Sequence, residues 1–446
     1  VKRFYLTGAI GLTVLFQILS LTLVLLFHVK ELNIPLLMFA VLLILFTFVS
    51  VRLVDRLMSG DSYLILIVNM LFSIGVIMIY RIKPALGERQ LLFYAIAVVS
   101  FFVVYILIRQ SPDFWKDKTL FYYLATLFLF AITLLFGLTH GGARNWIELF
   151  GVQIQPSEFA KIPFVFFIAA YYANAERYSR TVLFGRLRLG SAVLMAATYV
   201  LIGLFFIQRE LGTAVVFLFV LLAAQFAFEK NRRLLYGNLA LAAVGLTAGY
   251  FLFDHVRTRF ETWIDPWSDI ADKGYQITQS LFALAEGGFF GSGIGLGSPG
   301  LIPLGHSDFI FAAIVEEMGA FMGVCVMLLF LILFYRGVKI SMRQSSNFYS
   351  ALALLVSVMF AAQGIIMFAG VMKLIPLTGI TIPFLTYGGS SLLSSFILLG
   401  ALQVASEDLR PDGEDLRTDD EDLWANWADE GDWAKRSGSG AEEVGR

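Results

Sequence analysis

Three aspartates, Asp265, Asp269 and Asp272, fall within eight residues of the stretch WIDPWSDIADKGYQITQS, beside Lys273 and two tryptophans. A positioned carboxylate can take the proton from a weak hydroxyl nucleophile as it attacks, a contribution of roughly 10²–10⁴ in rate. On residue types alone, the cluster is also what a solvated loop or a cation-attracting rim looks like.

Four further stretches place polar or strained residues where an oily chain normally avoids them. In GGARNWIELFGVQIQPSEFAKIPFVFF, Ser157 reads as an N-cap and Glu158 as a first-turn acid. Lys161 follows Glu158 by three positions, so both face one side of a helix. A lysine there is either functional or a snorkelling interfacial partner of Glu158. Arg144 and Trp146 could equally be an interfacial anchor pair. In QRELGTA, Glu210 sits in what the chemistry alone reads as a tight solvated turn. GGFFGSGIGLGSPG contains a formal GxGxxG at Gly295, Gly297 and Gly300, with no strand before it. A dinucleotide site is rejected, and backbone approaching a ligand or lipid head group is expected. In PLGHSDFIFAAIVEEMG, His306 and Asp308 precede a span and Glu316 and Glu317 lie two turns into it, where a packed, hydrogen-bonded role is expected. In KLIPLTGITIPFLTYGGSSLLSS, Pro376, Pro383, Gly379, Gly388 and Gly389 break the helix. Broken backbone at membrane depth must line a cavity or be buried in protein.

The elements that position these groups follow from composition. The chain has 446 residues, is 58% hydrophobic and only 15% charged, with a mean hydropathy of +0.77. Soluble proteins carry about 25% charged residues. The fold class is therefore an all-α polytopic membrane protein. Twelve spans are expected, near 8–28, 34–54, 62–80, 90–108, 119–138, 158–175, 190–207, 212–228, 236–253, 308–335, 347–371 and 381–404. Lys and Arg concentrate in alternate loops, which places both termini in the cytoplasm. The fifty-residue loop near 254–307, between spans nine and ten, is then external, and 275–285 reads as an amphipathic surface helix. The acidic segment 407–446 reads as a flexible cytoplasmic tail that contains a linker-like SGSG. The first span reads as a retained helix and not a signal peptide. The single cysteine, Cys325, excludes an intrachain disulfide. No zinc motif, P-loop or nucleophile elbow is present, and nothing suggests nucleic acid or an organic cofactor.

Over roughly 60–405 the ordered motifs GGARNWIELFGVQIQPSEFAKI, QRELGTA, DPWSDIADKGYQITQSLFALAEGGFFGSGIGLGSP, HSDFIFAAIVEEMG and PLTGITIPFLTYGGSS resemble the SEDS family (shape, elongation, division and sporulation) of RodA, FtsW and SpoVE. The resemblance implies a ten-helix core, residues 61–406, preceded by two extra helices in 1–60. It also implies a peptidoglycan glycosyltransferase that polymerises lipid II on the outer face of the cytoplasmic membrane with a class B penicillin-binding protein. Asp269 falls at the family's essential aspartate and is expected to be the general base. Arg144, Glu158, Lys161, Glu210, Lys373 and Ser390 are expected around the substrate, Lys161, Arg144 and Lys373 as candidates to meet the leaving diphosphate. Asp265, Tyr275, Gln279, His306 and Asp308 are expected to support the site. A Mg²⁺ or Mn²⁺ ion is expected to bridge phosphates, with no all-protein metal site readable. The family's QPDLGT reads Gln208 to Thr213 as QRELGT, and DP-x-G reads Asp269 to Asp272 as DIAD. The GSPGLIP run leans to RodA-type members and DPW and GYQ to division-type ones; an elongation-type enzyme is favoured. The rival reading is a lipid II flippase or another carrier, and a third is a scaffold for a penicillin-binding protein.

Overall fold

The computed structural model describes residues 2–28, 34–140, 143–149, 152–175, 178, 182–183, 187–188, 190–229 and 231–407. The tail beyond 407 lies outside the described residues. Twelve helices of 17 residues or more correspond one to one with the expected spans. They are α1 (Lys2–His28), α2 (Ile34–Leu57), α3 (Ser62–Ile82), α4 (Pro84–Gln110), α5 (Thr119–Phe136), α6 (Pro156–Ala173), α7 (Gly190–Gln208), α8 (Leu211–Phe228), α9 (Arg232–Leu252), α12 (Ile310–Arg343), α13 (Asn347–Val371) and α14 (Gly389–Ala405). Among the described residues, nine of them are long and apolar enough to cross a bilayer; α6, α7 and α14 complete the twelve. The chain is a multi-pass helical membrane protein. Two shorter helices, α10 (Asp254–Ile264) and α11 (Tyr275–Gly287), lie between α9 and α12.

Local chemistry sets the boundaries. Pro84 and Pro156 open α4 and α6 at positions where no N–H is needed. Asp61 caps α3 by accepting from Tyr63 N, and Asn231 caps α9 by accepting from Arg233 N. The Ser157 cap is corrected: the cap position is Gln155, because Pro156 takes the first helical place, and the Ser157 hydroxyl turns to Glu210 instead. Span twelve begins at Gly389 and not at 381, because 381–388 is held as irregular backbone. Unforeseen elements include α10 and an antiparallel three-stranded ribbon of β1 (Leu138–His140), β2 (Ala143–Leu149) and β3 (Val152–Ile154) ahead of α6. A small hairpin, β4 (Val182–Leu183) with β5 (Leu187–Arg188), precedes α7.

The centre of the bundle is α3 and α13, both largely enclosed by their neighbours, whereas α9 buries little of its surface. Helices α1 and α2 are fixed to this centre by a buried polar chain. Gln17 donates to Thr47 (3.0 Å) and Ser73 (2.7 Å). Asn69 donates to Ser50 (2.8 Å) and to the Thr47 carbonyl (3.2 Å), and the Tyr94 hydroxyl donates to Asn69 (2.8 Å). Where lipid offers no competing water, such bonds hold helices together that apolar contact alone cannot select.

Helix α12 is interrupted at Gly319 (φ 83°, ψ 165°). A side chain there would meet the Phe289 carbonyl, because the glycine-rich run packs directly on this break. Ser292 and Gly293 N–H groups donate to the carbonyls of Glu316 and Glu317. Their carboxylates accept from Ser298 N (2.6 Å) and Gly295 N (3.1 Å), and Arg81 approaches Glu317 to 3.1 Å. The glycines therefore serve approach to the chain's own helix, and not to a ligand as the sequence suggested. Glu316 and Glu317 are packed and hydrogen-bonded, as expected.

Candidate functional site

The first turns of α6, α8 and α14 and the first half of α10 converge at one end of the bundle. Glu158 and Lys161 form an ion pair of 2.7 Å, with side chains only 5% and 3% exposed. This lysine does not snorkel; its charge is consumed inside the protein. Glu158 also accepts from Thr381 and Ser394, both at 3.3 Å. Glu210, immediately before α8, accepts through one carboxylate oxygen from Thr213 (2.7 Å), Ser157 (3.0 Å) and Gln155 (3.0 Å). Its other oxygen is buried and has no partner among the described residues. Burial pushes the Glu210 carboxyl up to about 7; the Thr213 and Ser157 hydroxyls pull it down, the Glu158 charge adds to the rise and Lys161 opposes it. The turn expected to be solvated is thus a buried hub. Ser390 joins it by accepting from Gln155 N (3.2 Å).

This hub borders a cavity of about 120 Å³, whose polar walls include Gln155, Glu158, Arg209, Glu210, His255 and Arg259. Beside it lies an apolar groove of about 490 Å³ between α7, α8, α9, α10 and α13, walled by residues such as Phe206, Leu218, Leu246 and Phe260. Leu211, Gly212, Val256, Arg259 and Thr378 line both, so a polar chamber and an oily channel share one wall. Arg259 donates to the Thr378 carbonyl at 2.5 Å. Gly379 (φ 68°) lies so close that a Cβ would stand 3.1 Å from the Arg259 guanidinium and 3.4 Å from the Asp308 carboxylate. Desolvation raises the Asp308 pKa, with the Arg259 charge working against it. His255 is pushed down by burial and by Arg259 and Arg209. The broken segment ahead of α14 does line a cavity, as its prolines and glycines implied.

The remaining sequence candidates are placed less centrally. Asp269 is exposed on the turn between α10 and α11, where its carbonyl accepts from Gly274 N. Asp265 accepts from Trp267 N and shapes that turn. Tyr275 is exposed and Gln279 half-buried on α11. The His306 carbonyl accepts from Tyr387 N at 3.0 Å and its ring meets the Tyr387 ring edge-on, so it ties the loop to the α14 approach. Burial and the Lys83 charge lower its pKa. Lys373 (φ 59°) is half-buried, and its carbonyl accepts from the Trp263 indole at 3.0 Å, which ties the α10 end to the groove-lining segment. Arg144 pairs with Thr139 across β1 and β2; its side chain lies outside the described residues. The sequence reading did not single out Arg209, His255, Arg259 or Gly379 as site residues. An arginine in a two-residue link between apolar spans was the available signal for the first.

The family model described as cell cycle protein, FTSW_RODA_SPOVE, matches residues 61–410. The peptidoglycan glycosyltransferase RodA of Mycobacterium bovis is 33% identical over 369 residues, covering 78% of each chain. Stage V sporulation protein E of Bacillus subtilis is 32% identical, covering 77% of this chain and 96% of that protein. A solved structure described as "Structural coordination of polymerization and crosslinking by a peptidoglycan synthase complex" is similar with a TM-score of 0.65 at 26% identity, over 78% of this chain and 98% of that one.

Proposed function

This chain belongs to the cell cycle protein family of FtsW, RodA and SpoVE, and from that premise we propose that it polymerises lipid II into glycan strands at the outer face of the cytoplasmic membrane. It is an enzyme of the peptidoglycan glycosyltransferase class, as its relatives are named. The observation that carries the substrate is the shared wall of the polar cavity and the apolar groove. Lipid II has that same division, a saccharide and diphosphate on one side and a polyisoprenoid tail on the other. Basic residues support the orientation. Arg109, Lys116, Lys118, Arg232, Arg233, Lys339 and Arg343 lie at helix ends remote from the cavity, as the cytoplasmic side of a membrane protein requires.

The reaction joins a sugar hydroxyl of the acceptor to the anomeric carbon of the donor and expels the lipid diphosphate. Asp269, exposed on the turn between α10 and α11, takes the hydroxyl proton as the bond forms. The negative charge that leaves needs cations already in place. Among the described residues no three carboxylate, histidine or cysteine side chains stand together as a metal site. A Mg²⁺ or Mn²⁺ ion held by the substrate's phosphates would supply further positive charge there, and no step here runs through it. The similar solved structure is of a synthase complex coupling polymerization to crosslinking, which supports a class B penicillin-binding protein as partner.

The test is glycan synthesis from lipid II in detergent by the protein with its cognate transpeptidase. Asp269→Asn keeps the shape and removes the basicity, and should lower turnover by at least about 10². Wild-type polymerisation by Asp269→Asn would defeat the base assignment. Lipid II binding without any glycan from the wild type would favour a carrier.

A further inference from the structure

The cations near the cavity divide into those already used and those still available. Lys161 is spent on Glu158. Arg209 and Arg259 both line the cavity, and Arg259 lines the groove as well. Arg259 is anchored through one guanidinium nitrogen by the Thr378 carbonyl. Arg209 is exposed, and among the described residues its guanidinium makes no hydrogen bond or ion pair. Its backbone is left-handed (φ 60°), a conformation that costs a side-chain-bearing L-residue about 1–2 kcal/mol. Glycine would adopt it freely, yet the position carries a long cation. The surrounding fold holds this strain, as it does at Leu304, Lys373 and Phe384.

Two further features favour an anion at this wall. The 18-residue helix α8 starts here, and Leu211, Gly212 and Thr213 of its first turn line the cavity, so its unpaired N–H groups add positive potential. The opposing carboxylates are muted: Glu158 is neutralised by Lys161, and burial weakens the ionisation of Glu210.

We propose that Arg209 and Arg259 seat the diphosphate of the lipid-linked saccharide at the shared wall, Arg259 as the fixed partner and Arg209 as the free one. This rests on the glycosyltransferase reading and replaces Lys161 as the group that meets the departing diphosphate. A phosphate at the boundary of an oily channel could also belong to a phospholipid head group, and the experiment separates the two.

Undecaprenyl diphosphate is titrated into the full chain in detergent micelles, and its affinity is measured by thermophoresis. Arg209→Ala should weaken binding by about tenfold or more, since a charge-assisted contact is lost, while melting like wild type because the side chain is exposed. Arg209→Lys should recover part of the loss, and added salt should weaken the wild type more than Arg209→Ala. Excess phosphatidylglycerol should not displace the probe. Wild-type affinity in Arg209→Ala, or equal displacement by phosphatidylglycerol in both proteins, would overturn the assignment. The readout is binding and not turnover, so its failure is distinct from failure of the polymerisation assay.

Discussion

Two of the buried polar clusters among the described residues are built to different ends. The chain from Gln17 through Thr47, Ser73, Asn69 and Ser50 to Tyr94 is closed, and none of these side chains has a buried atom left without a partner. The cluster of Glu158, Lys161 and Glu210 is equally enclosed but open in its bonding. One Glu210 oxygen is unpaired, and the cluster borders a cavity. Polarity at this depth is costly in both places. Where each donor finds an acceptor the result is adhesion between helices. Where one acceptor is left over in a cluster that borders a cavity, the fold leaves bonding capacity that it does not itself use.

The largest effect should come from breaking the ion pair of the open cluster. Lys161→Met leaves Glu158 charged and buried, and should destabilise the protein by about 3–5 kcal/mol, read as a fall in melting temperature in detergent. Adding Glu158→Gln should restore a large part of that loss; no recovery would mean that Lys161 acts through packing.

Next in size is the pH response of Glu210. Its carboxyl ionises near 4.5 when free and near 7 in the fold, so the unfolded chain loses this proton first. Its contribution to stability is full below about 4.5, falls as pH rises toward 7, and is flat beyond. Glu210→Gln, which still accepts from Thr213 and Ser157, should flatten that slope in melts between pH 5 and 8. An unchanged slope would assign it to other groups.

The closed cluster should give the smallest change. Asn69→Ala removes two donated bonds and one accepted bond, and should cost about 0.6–2 kcal/mol with glycan synthesis per folded molecule unchanged. A loss of turnover at full stability would erase the distinction between the two clusters.

Much of this organisation was readable from residue order. Runs of about twenty apolar residues dictate spans, and each of the twelve marked became a helix. Glu158 and Lys161 met because three positions on a helix fix their relation. What escaped was non-local. Glu210 looked solvated because nothing in QRELGTA reveals that Gln155 and Ser157 fold onto it. The glycine-rich run looked like a ligand loop because its true neighbour, the break at Gly319, is a further twenty residues on. The short ribbon from Leu138 to Ile154 has no periodicity long enough to stand out.

The family match begins at residue 61, an inviting point at which to shorten the chain for expression. Cutting there would take Gln17, Thr47 and Ser50 away and turn Ser73, Asn69 and Tyr94 toward hydrocarbon, with both acceptors of the Asn69 amide N–H groups gone and only the bonds of Tyr94 and Ser73 to Asn69 kept. A shortened protein would misassemble or gather copies of itself through those stranded groups, so the first two helices must travel with the rest.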